Sequence, residues 1–321
     1  MTLTAEPTTT EPAPAGSRPR RPRSRADTAA PYVLLVPAAA LFVCFFLIPL
    51  GYAVYLSLRG PRVTPSANGF GMIHTRFVGL LNYSRAFQDH IWLASFQRLL
   101  IYAVITIPLT LGGALLFALL LDAARARLVR FTRLCLLLPY AVPGVIAGIM
   151  WGFLYLPDTS PATSAASGIG WHHLNLLSPT MLYSSLANIA VWGALGFNMI
   201  ILFTGLRATP AEVYDSARID GCGEIRLAWR IKIPLIAPSL TLAGLFSLIG
   251  TLQAYSEPTV LAPLTTSISS TYFPMMNVQR DAFATNQPNL ASAMAMIIAL
   301  GTMIVSAVVL RFGRRAGAEE S

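Results

Sequence analysis

Six long apolar runs divide this chain, and they constrain its fold more than any other feature of the sequence. A helix needs about 20 residues to cross a hydrocarbon core roughly 30 Å thick, and each run meets that length. Backbone polar groups find no water inside a bilayer, so the runs must form helices. We therefore predict an all-α, polytopic membrane protein with six transmembrane helices. The runs cover residues 32–58, 99–121, 134–156, 182–206, 236–259 and 290–311.

The composition agrees with a chain solvated largely by lipid. Hydrophobic residues make up 55% of the chain and charged residues only 12%, against about 25% charged residues in a typical soluble domain. The net charge of +9 is spread over short segments between the runs rather than gathered on one soluble face, which excludes a nucleic-acid partner. The cysteines and histidines show no metal-ligand spacing, so no metal site is predicted.

The basic residues predict the orientation of the helices, because cytoplasmic segments are enriched in Lys and Arg. Seventeen basic residues fall on the side of the two termini and six on the other side. Both termini are thus expected in the cytoplasm. Residues 1–30, rich in Arg and Pro, are predicted to be a disordered cytoplasmic tail. Residues 31–312 form the membrane domain and residues 313–321 a second cytoplasmic tail.

A polar connector, residues 207–234, separates the fourth run from the fifth on the cytoplasmic side. Thr209 is predicted to cap a helix with Pro210 in its first position and Glu212 closing a capping box. Gly221 would allow a bend. A second short helix, over Gly223–Lys232, should end before Pro234.

The spacing within the connector resembles the EAA loop of binding-protein-dependent ABC importers, whose pattern is E-A-A, three residues, G, nine residues, I-x-L-P. Here Asp215-Ser216-Ala217 precedes Gly221, and Ile231-Lys232-Ile233-Pro234 follows at the same distances. The resemblance implies that the connector docks on an ATP-hydrolysing subunit. The residues expected to couple the two subunits are Glu212, Tyr214, Asp215, Ser216, Ala217, Asp220, Gly221, Ile231, Ile233 and Pro234.

Other segments resemble the maltose and glycerol-phosphate branch of that family, a carbohydrate branch. The matching stretches are Phe77–Tyr83, Leu138-Pro139 with Pro143 and Trp151, and Glu257-Pro258. The T-G-G-G-P stretch common near the last of these is absent, and Leu261–Thr266 stands in its place. The resemblance covers about residues 31–312.

The resemblance implies the permease subunit of an ABC importer with the type I importer permease fold, in a bacterial cell membrane. It would translocate a sugar or oligosaccharide delivered by an extracytoplasmic solute-binding protein. Its partners would be a second permease subunit, identical or different, and two ATP-binding subunits. The sole lysine, Lys232, lies between Ile231 and Ile233, so the chain has no G-x-x-x-x-G-K-[ST] loop. We therefore expect no enzyme activity and no cofactor in this chain, with ATP and Mg²⁺ bound by the partner ATPase subunits.

A sugar path would need hydrogen-bonding groups and flat aromatic faces inside the helices. Polar residues within a membrane are costly and tend to face a bundle interior, although bonding between helices would also explain them. The candidates in the fourth and fifth runs are Ser185, Asn188, Trp192, Asn198, Ser247, Thr251, Gln253, Tyr255 and Glu257.

The sequence leaves three alternatives to a sugar importer. The same machinery could carry a glycerol phosphate, a phosphodiester or a polyol, but a phosphate would favour arginines within the path, and none lies mid-span. An ion-coupled secondary transporter would need charge pairs within the membrane, which the inner runs lack. A membrane enzyme would need a nucleophile–base or metal constellation, which four scattered histidines do not supply.

Overall fold

A computed structural model describes residues 25–64, 72–123, 128–157, 159–168 and 174–318. The described residues are mainly helical, which confirms the predicted fold class. Five helical stretches are long and apolar enough to cross a membrane, and a bent pair of helices brings the number to six if it counts as one crossing. The five stretches are Leu34–Ser57, His90–Asp122, Leu182–Ala208, Ala237–Leu264 and Pro288–Arg311.

Fifteen α-helices occur within the described ranges. They are α1 (Arg25–Phe42), α2 (Ile48–Ser57), α3 (Leu81–Gln88), α4 (His90–Asp122), α5 (Val129–Leu137), α6 (Gly144–Tyr155), α7 (Pro161–Gly168), α8 (Leu182–Ala208), α9 (Ala211–Ile219), α10 (Glu224–Leu227), α11 (Ile233–Leu235), α12 (Ala237–Leu252), α13 (Ser256–Leu261), α14 (Pro274–Gln279) and α15 (Pro288–Ala318). Two strands, β1 (Arg59–Thr64) and β2 (Met72–Phe77), complete the regular structure.

The chain divides into two compact units, residues up to Tyr52 and residues from Ala53 onward. In the first unit, α1 runs through a π-helical turn, Val43–Leu47, into α2. The turn ends at Leu47, two residues before Pro49. Proline has no N–H and crowds the carbonyl four residues earlier, so a locally widened turn accommodates it. Helix α1 begins at Arg25, inside the predicted tail, while residues 1–24 lie outside the described residues.

A β-hairpin follows the first predicted span and was not anticipated from the sequence. Strands β1 and β2 pair antiparallel, from Arg59 opposite Phe77 to Thr64 opposite Met72. Buried Asn82 fastens the hairpin to the end of α2, since its amide donates to the carbonyl oxygens of Ser57 at 2.8 Å and Arg59 at 2.7 Å. The stretch Phe77–Tyr83 carries one of the family resemblances. Through Asn82 it joins the hairpin to the end of α2.

The second predicted span starts earlier than expected. Helix α4 begins at His90 rather than residue 99 because Asp89 caps it, accepting hydrogen bonds from the backbone N–H groups of Ile91 at 2.8 Å and Trp92 at 3.2 Å. Such a carboxylate satisfies donors that the first helical turn leaves unpaired. The helix then runs for 33 residues through Pro108 without interruption.

The third predicted span, residues 134–156, is broken rather than straight. The helical segments Val129–Ala141 and Gly144–Tyr155 meet at an angle of 97°. Pro143 is the N-cap of α6 and Val142 is extended, as expected for a residue that precedes proline. Pro143 carries part of the family resemblance in the sequence, and in the structure it lies at the bend between the two helical segments.

Helices α4 and α8 form the centre of the second unit. Ala114 and Ala118, both fully buried, pack with Met199, Leu202 and Leu206 of α8. Small residues let two helix backbones approach closely, which is how helices gain contact where lipid removes the hydrophobic driving force. Gly196 of α8 allows an even closer approach to α5, because a Cβ at this position would overlap the carbonyl oxygen of Leu136.

Candidate functional site

The connector folds into two short helices that meet at Gly221, as its sequence predicts. Gly221 has a φ of +81°, a backbone conformation that side chains other than hydrogen disfavour. The N–H of Cys222 donates to the carbonyl of Ala217 and that of Gly221 to the carbonyl of Arg218, both at 3.0 Å. This pattern is the Schellman motif, and it ends α9 while redirecting the chain into α10.

The start of α9 differs from the prediction. Pro210 is the N-cap, and no side chain caps the helix, so the expected capping box of Thr209 and Glu212 is wrong. Glu212 lies in the first turn and is exposed. A carboxylate in that position still interacts favourably with the positive end of the helix dipole.

The second connector helix does not stop before Pro234. After α10 the chain forms a π-helical turn, Ala228–Lys232, and continues as α11 through Pro234 to Leu235. Proline would clash with the carbonyl four residues earlier in a regular α-helix. The wider turn, in which the N–H of Ile233 donates to the carbonyl of Ala228, removes that constraint, so the helix persists. Ile233 and Pro234 are half-buried.

One face of the connector packs inward. Tyr214, Ala217 and Leu227 are buried together, with Cys222 and Ile231 against them. The Tyr214 hydroxyl donates to the carbonyl oxygen of Leu206 at the end of α8, at 3.1 Å. Tyr214 therefore holds the connector against α8, while Ala217 and Ile231 pack within the connector itself.

The other face of the connector is exposed and mixes acidic and basic side chains with large apolar ones. The exposed fractions of Ile219, Ile225 and Trp229 are 86%, 80% and 71%. The predicted residues Glu212, Asp215, Ser216 and Asp220 are also exposed. Ile225 and Trp229, together with Gly221, line a shallow surface groove. Neither side chain was singled out from the sequence, although their spacing of four residues places them on one helical face.

Arg218 braces the bend from the outside. Its Nη1 lies 2.9 Å from Asp215 Oδ1 and its Nε lies 3.0 Å from Glu224 Oε1, so it joins α9 to α10. The hydrogen bond to Glu224 is the main reason that the pKa of Arg218 is raised above its ordinary value. These pairs are largely solvated, and exposed pairs of this kind contribute little stability.

A cavity of about 410 Å³ lies among α4, α6, α8, α12 and α13. Of the nine residues predicted for a substrate path, it brings together Asn198, Ser247, Thr251 and Glu257. Ser247 Oγ donates to Asn198 Oδ1 at 3.3 Å, across α12 and α8. Thr251 Oγ1 donates to the carbonyl of Ser247 at 2.7 Å.

The other five predicted path residues do not line this cavity. Ser185 donates to the carbonyl of Leu176 at 2.7 Å, and Asn188 donates to the Tyr155 hydroxyl at 2.9 Å. Trp192 packs edge-on against Trp151 with ring centroids 5.9 Å apart. Gln253 is exposed and Tyr255 half-buried. The first two side chains thus join elements of this chain to one another.

The second predicted span also contributes to the cavity, although none of its residues was predicted for the substrate path. Tyr102, Thr106 and Thr110 of α4 all line it. Their spacing of four residues puts them on one face of the helix, and this signal was present in the sequence. Two aromatic side chains that line the cavity, Tyr140 and Phe197, stack with ring centroids 4.8 Å apart.

No group of three or more His, Cys, Asp or Glu residues in the described part of the chain could hold a metal ion. The cavity offers hydroxyl, amide and aromatic groups with one carboxylate, and none of its lining residues is Lys or Arg. Such a lining suits a polar molecule with many hydroxyl groups more than a phosphate or a polyanion, because a buried anion requires cationic or donor-rich partners.

Comparisons with known proteins all identify membrane components of transport systems as similar to this chain. Residues 90–317 match the family described as binding-protein-dependent transport system inner membrane component. The diacetylchitobiose uptake system permease protein NgcF of Streptomyces coelicolor is 29% identical, over 97% of this chain and 90% of that protein. The sn-glycerol-3-phosphate transport system permease protein UgpA of Yersinia pseudotuberculosis is 28% identical, over 88% of this chain and 92% of that protein.

A solved structure shares the fold. It is that of a bacterial alginate ABC transporter in complex with an alginate pentasaccharide-bound periplasmic protein, and one of its chains superposes with a TM-score of 0.75 at 17% sequence identity. The superposition covers 91% of this chain and 97% of that chain.

Proposed function

Because the chain belongs to the family of binding-protein-dependent transport system inner membrane components, we propose that it carries a neutral sugar or oligosaccharide across a bacterial cell membrane. It is the permease subunit of an ABC importer. In this proposal a separate subunit hydrolyses ATP, and the chain itself is a transport component without catalytic residues.

The observation that carries the proposal is the exposed apolar face of the connector. Ile219, Ile225 and Trp229 are exposed on a segment whose opposite face, with Tyr214 and Ala217, is buried. Large apolar side chains grouped on a polar segment mark a protein–protein contact, and each Å² buried there contributes about 25 cal/mol. The charged side chains around them, which include Glu224, Arg226 and Arg230, can form complementary ion pairs with a partner. We assign this face to an ATPase subunit.

The orientation follows from the basic residues. ATP is hydrolysed in the cytoplasm, so the connector must face that side. The connector carries Arg207, Arg218, Arg226, Arg230 and Lys232, and such enrichment is typical of cytoplasmic segments. The binding protein would dock on the opposite side of the membrane. The periplasmic protein of the alginate transporter supports a partner of this type.

The cavity supports a neutral cargo. Asn198, Ser247 and Thr251 can exchange hydrogen bonds with sugar hydroxyls, and Phe197 and Tyr140 offer flat faces for a sugar ring. Glu257 is the one carboxylate among the lining residues, and it would repel a phosphate or a uronate. NgcF is named for a neutral disaccharide and UgpA for a phosphate ester, so the cavity favours cargo of the first type.

The complete transporter in this proposal contains a second permease, identical or different, two ATP-binding subunits that hold ATP and Mg²⁺, and an extracytoplasmic binding protein. Two permeases would enclose the path between them. A non-sugar cargo, such as a glycerol phosphate, a phosphodiester or a polyol, is the second candidate, because UgpA relatives support it.

The test is purification from mild detergent of the tagged chain with its co-expressed partners, followed by assay of ATP hydrolysis in lipid vesicles. We expect an ATPase subunit and a second permease to copurify, and the charged variants Ile225→Glu and Trp229→Glu to lose the ATPase subunit. Phe283, 82% exposed in a different segment, gives the control variant Phe283→Glu, which should retain the ATPase subunit.

The cargo is tested in the same vesicles with the binding protein added. Diacetylchitobiose, maltose, sn-glycerol 3-phosphate and an alginate oligosaccharide serve as probes of ATPase stimulation. Stimulation by a neutral sugar supports the proposal. Stimulation only by sn-glycerol 3-phosphate or by the alginate oligosaccharide would show that the cargo is an anion rather than a neutral sugar. The absence of any copurified ATPase subunit would overturn the proposal as a whole.

A further inference from the structure

The only lysine of the chain, Lys232, is buried where the connector returns to the membrane-spanning helices. It is 3% exposed, and its Nζ lies 2.6 Å from Oδ2 of Asp122, the last residue of α4. The Asp122 side chain is 5% exposed. A buried charge is tolerated only when it is paired and hydrogen-bonded. Each of these two residues therefore depends on a partner 110 positions away.

Asp122 is shared between two cations. Its second oxygen, Oδ1, lies 3.2 Å from Nε of Arg207, in the last turn of α8. One carboxylate thus joins the ends of α4 and α8 to the π-helical turn of the connector. We call Asp122, Arg207, Lys232 and Tyr214 the basal cluster.

Tyr214 connects the basal cluster to the first connector helix, α9. The ammonium group of Lys232 lies 4.9 Å from the centroid of the Tyr214 ring, within the range of a cation–π interaction. The Tyr214 hydroxyl is bonded to Leu206, next to Arg207. The face of α9 that turns away from the exposed apolar surface is therefore fastened at two points.

The basal cluster is also linked to α5. Two guanidinium groups approach the Phe203 ring, that of Arg133 of α5 at 4.9 Å and that of Arg207 at 5.3 Å from its centroid. Three separate parts of the chain, α4, α8 and the connector, thereby meet at the Asp122 carboxylate, and α5 is linked to them through the Phe203 ring. Removing the charge of Asp122 would leave Lys232 buried beside Arg207 without a counter-charge.

We propose that Asp122 and Lys232 are positioning residues for transport, forming the joint through which movement of the connector is passed to α4 and α8. This inference rests on the proposed function. A displaced α9 pulls on Tyr214 and Lys232, and the Asp122 carboxylate carries that displacement to the ends of two helices that line the cavity. Without the carboxylate the connector can move alone, and ATP hydrolysis proceeds without opening or closing the cavity.

The experiment uses the complete transporter, with its ATPase subunits, second permease and binding protein, in lipid vesicles. Native cysteines are replaced, and Ser247→Cys places one reporter thiol in the cavity. Two quantities are measured: the rate of ATP hydrolysis, and the change in the labelling rate of the thiol by a maleimide when ATP, Mg²⁺ and vanadate are added. Comparing the two quantities distinguishes a loss of ATP hydrolysis from a loss of the conformational change in the cavity. The comparison requires no knowledge of the cargo.

The decisive variant is the double substitution Asp122→Leu with Lys232→Met. It removes both buried charges and replaces them by apolar groups, an exchange that ion pairs in protein interiors often tolerate. We expect it to assemble and hydrolyse ATP, while the ATP-dependent change in labelling rate falls about tenfold, within the usual range of coupling between sites. The single variant Lys232→Arg, which keeps the charge, should retain most of the change.

Asp281 provides a matched control. Its side chain is 3% exposed and lies 2.8 Å from Nη2 of Arg280, so Asp281→Asn removes an equally buried, ion-paired carboxylate elsewhere. We expect its labelling change to equal that of the parent. The proposed role of Asp122 and Lys232 would be overturned if the double variant kept the full ATP-dependent change in labelling rate. It would also be overturned if Asp281→Asn lost as much of that change as the double variant. A failure of the parent chain to bind an ATPase subunit would instead overturn the proposed function.

Discussion

The hydroxyl of Tyr214 donates a 3.1 Å hydrogen bond to the carbonyl oxygen of Leu206, across the turn that links α8 to the connector. The last carbonyls of a helix have no partner within the helix, so this bond satisfies one of them while it fixes the orientation of α9. The exposed side chains Ile219, Ile225 and Trp229 can serve as a docking surface only if the connector that carries them is held in place.

Tyr214→Phe should therefore lower the thermal stability of the connector. The lost bond contributes about 1 kcal/mol, and the ring remains to pack against Ala217 and Leu227. Tyr214→Ala should cost more, because it also removes the buried ring. Both effects are measured by thermal unfolding of the purified transporter, monitored through the protease sensitivity of the connector. An identical midpoint for Tyr214→Phe and the parent would contradict a role for the hydroxyl.

Gly221→Val should impair coupling while leaving membrane insertion intact. A Cβ at Gly221 meets no atom within 4 Å, so the penalty comes from the backbone alone. A side chain in the left-handed region costs roughly 1–2 kcal/mol, and a β-branched residue tolerates it least. The expected result is reduced uptake at a similar amount of protein in the membrane, with ATP hydrolysis less affected.

Two variants test that explanation. Gly221→Asn should retain more uptake than Gly221→Val, since asparagine adopts positive φ most readily among the other residues. Gly112→Val places the same side chain at a helical glycine that also has nothing within 4 Å, and it should transport normally. Equal uptake in Gly221→Val and Gly112→Val would show that the backbone conformation at Gly221 is unimportant.

Gly196→Ala should destabilise the packing of α8 against the end of α5. The added Cβ would overlap the backbone carbonyl of Leu136, which cannot rotate away as a side chain can. Overpacking of this kind costs about 1–3 kcal/mol. Size-exclusion chromatography and thermal unfolding of the detergent-solubilised protein should show less monodisperse protein and a lower midpoint. Gly301→Ala, where nothing lies within 4 Å, should behave as the parent.

Thr251→Val tests the cavity lining. Its hydroxyl donates to the carbonyl four residues earlier, at 2.7 Å, and it lines the cavity. Loss of one hydrogen bond to cargo should raise the sugar concentration for half-maximal uptake about two- to tenfold. Thr302→Val is the control, because Thr302 makes the same bond to Ile298 at 2.8 Å but does not line the cavity. Equal shifts in both would assign the effect to helix stability.

Local patterns predicted much of the fold. Hydrophobic length located the helices, because each membrane crossing must satisfy its own backbone hydrogen bonds. Gly221 was predicted as a bend because only its own backbone conformation matters there. Asp89 as a cap and the face of Tyr102, Thr106 and Thr110 were equally local and were overlooked. Two local predictions were wrong. Thr209 does not cap α9, and Pro234 does not end the second connector helix.

The sequence by itself determined which segments are helical, where the chain bends at Gly221, and which connector could face an ATPase, since each depends on neighbours within a few positions. Only the tertiary structure decided which polar residues share the cavity and that Lys232 pairs with Asp122. Their partnership joins positions 110 residues apart, and it exists because the packing of α4 against α8 brings two helix ends to the connector. No local periodicity encodes which distant charge will lie 2.6 Å away.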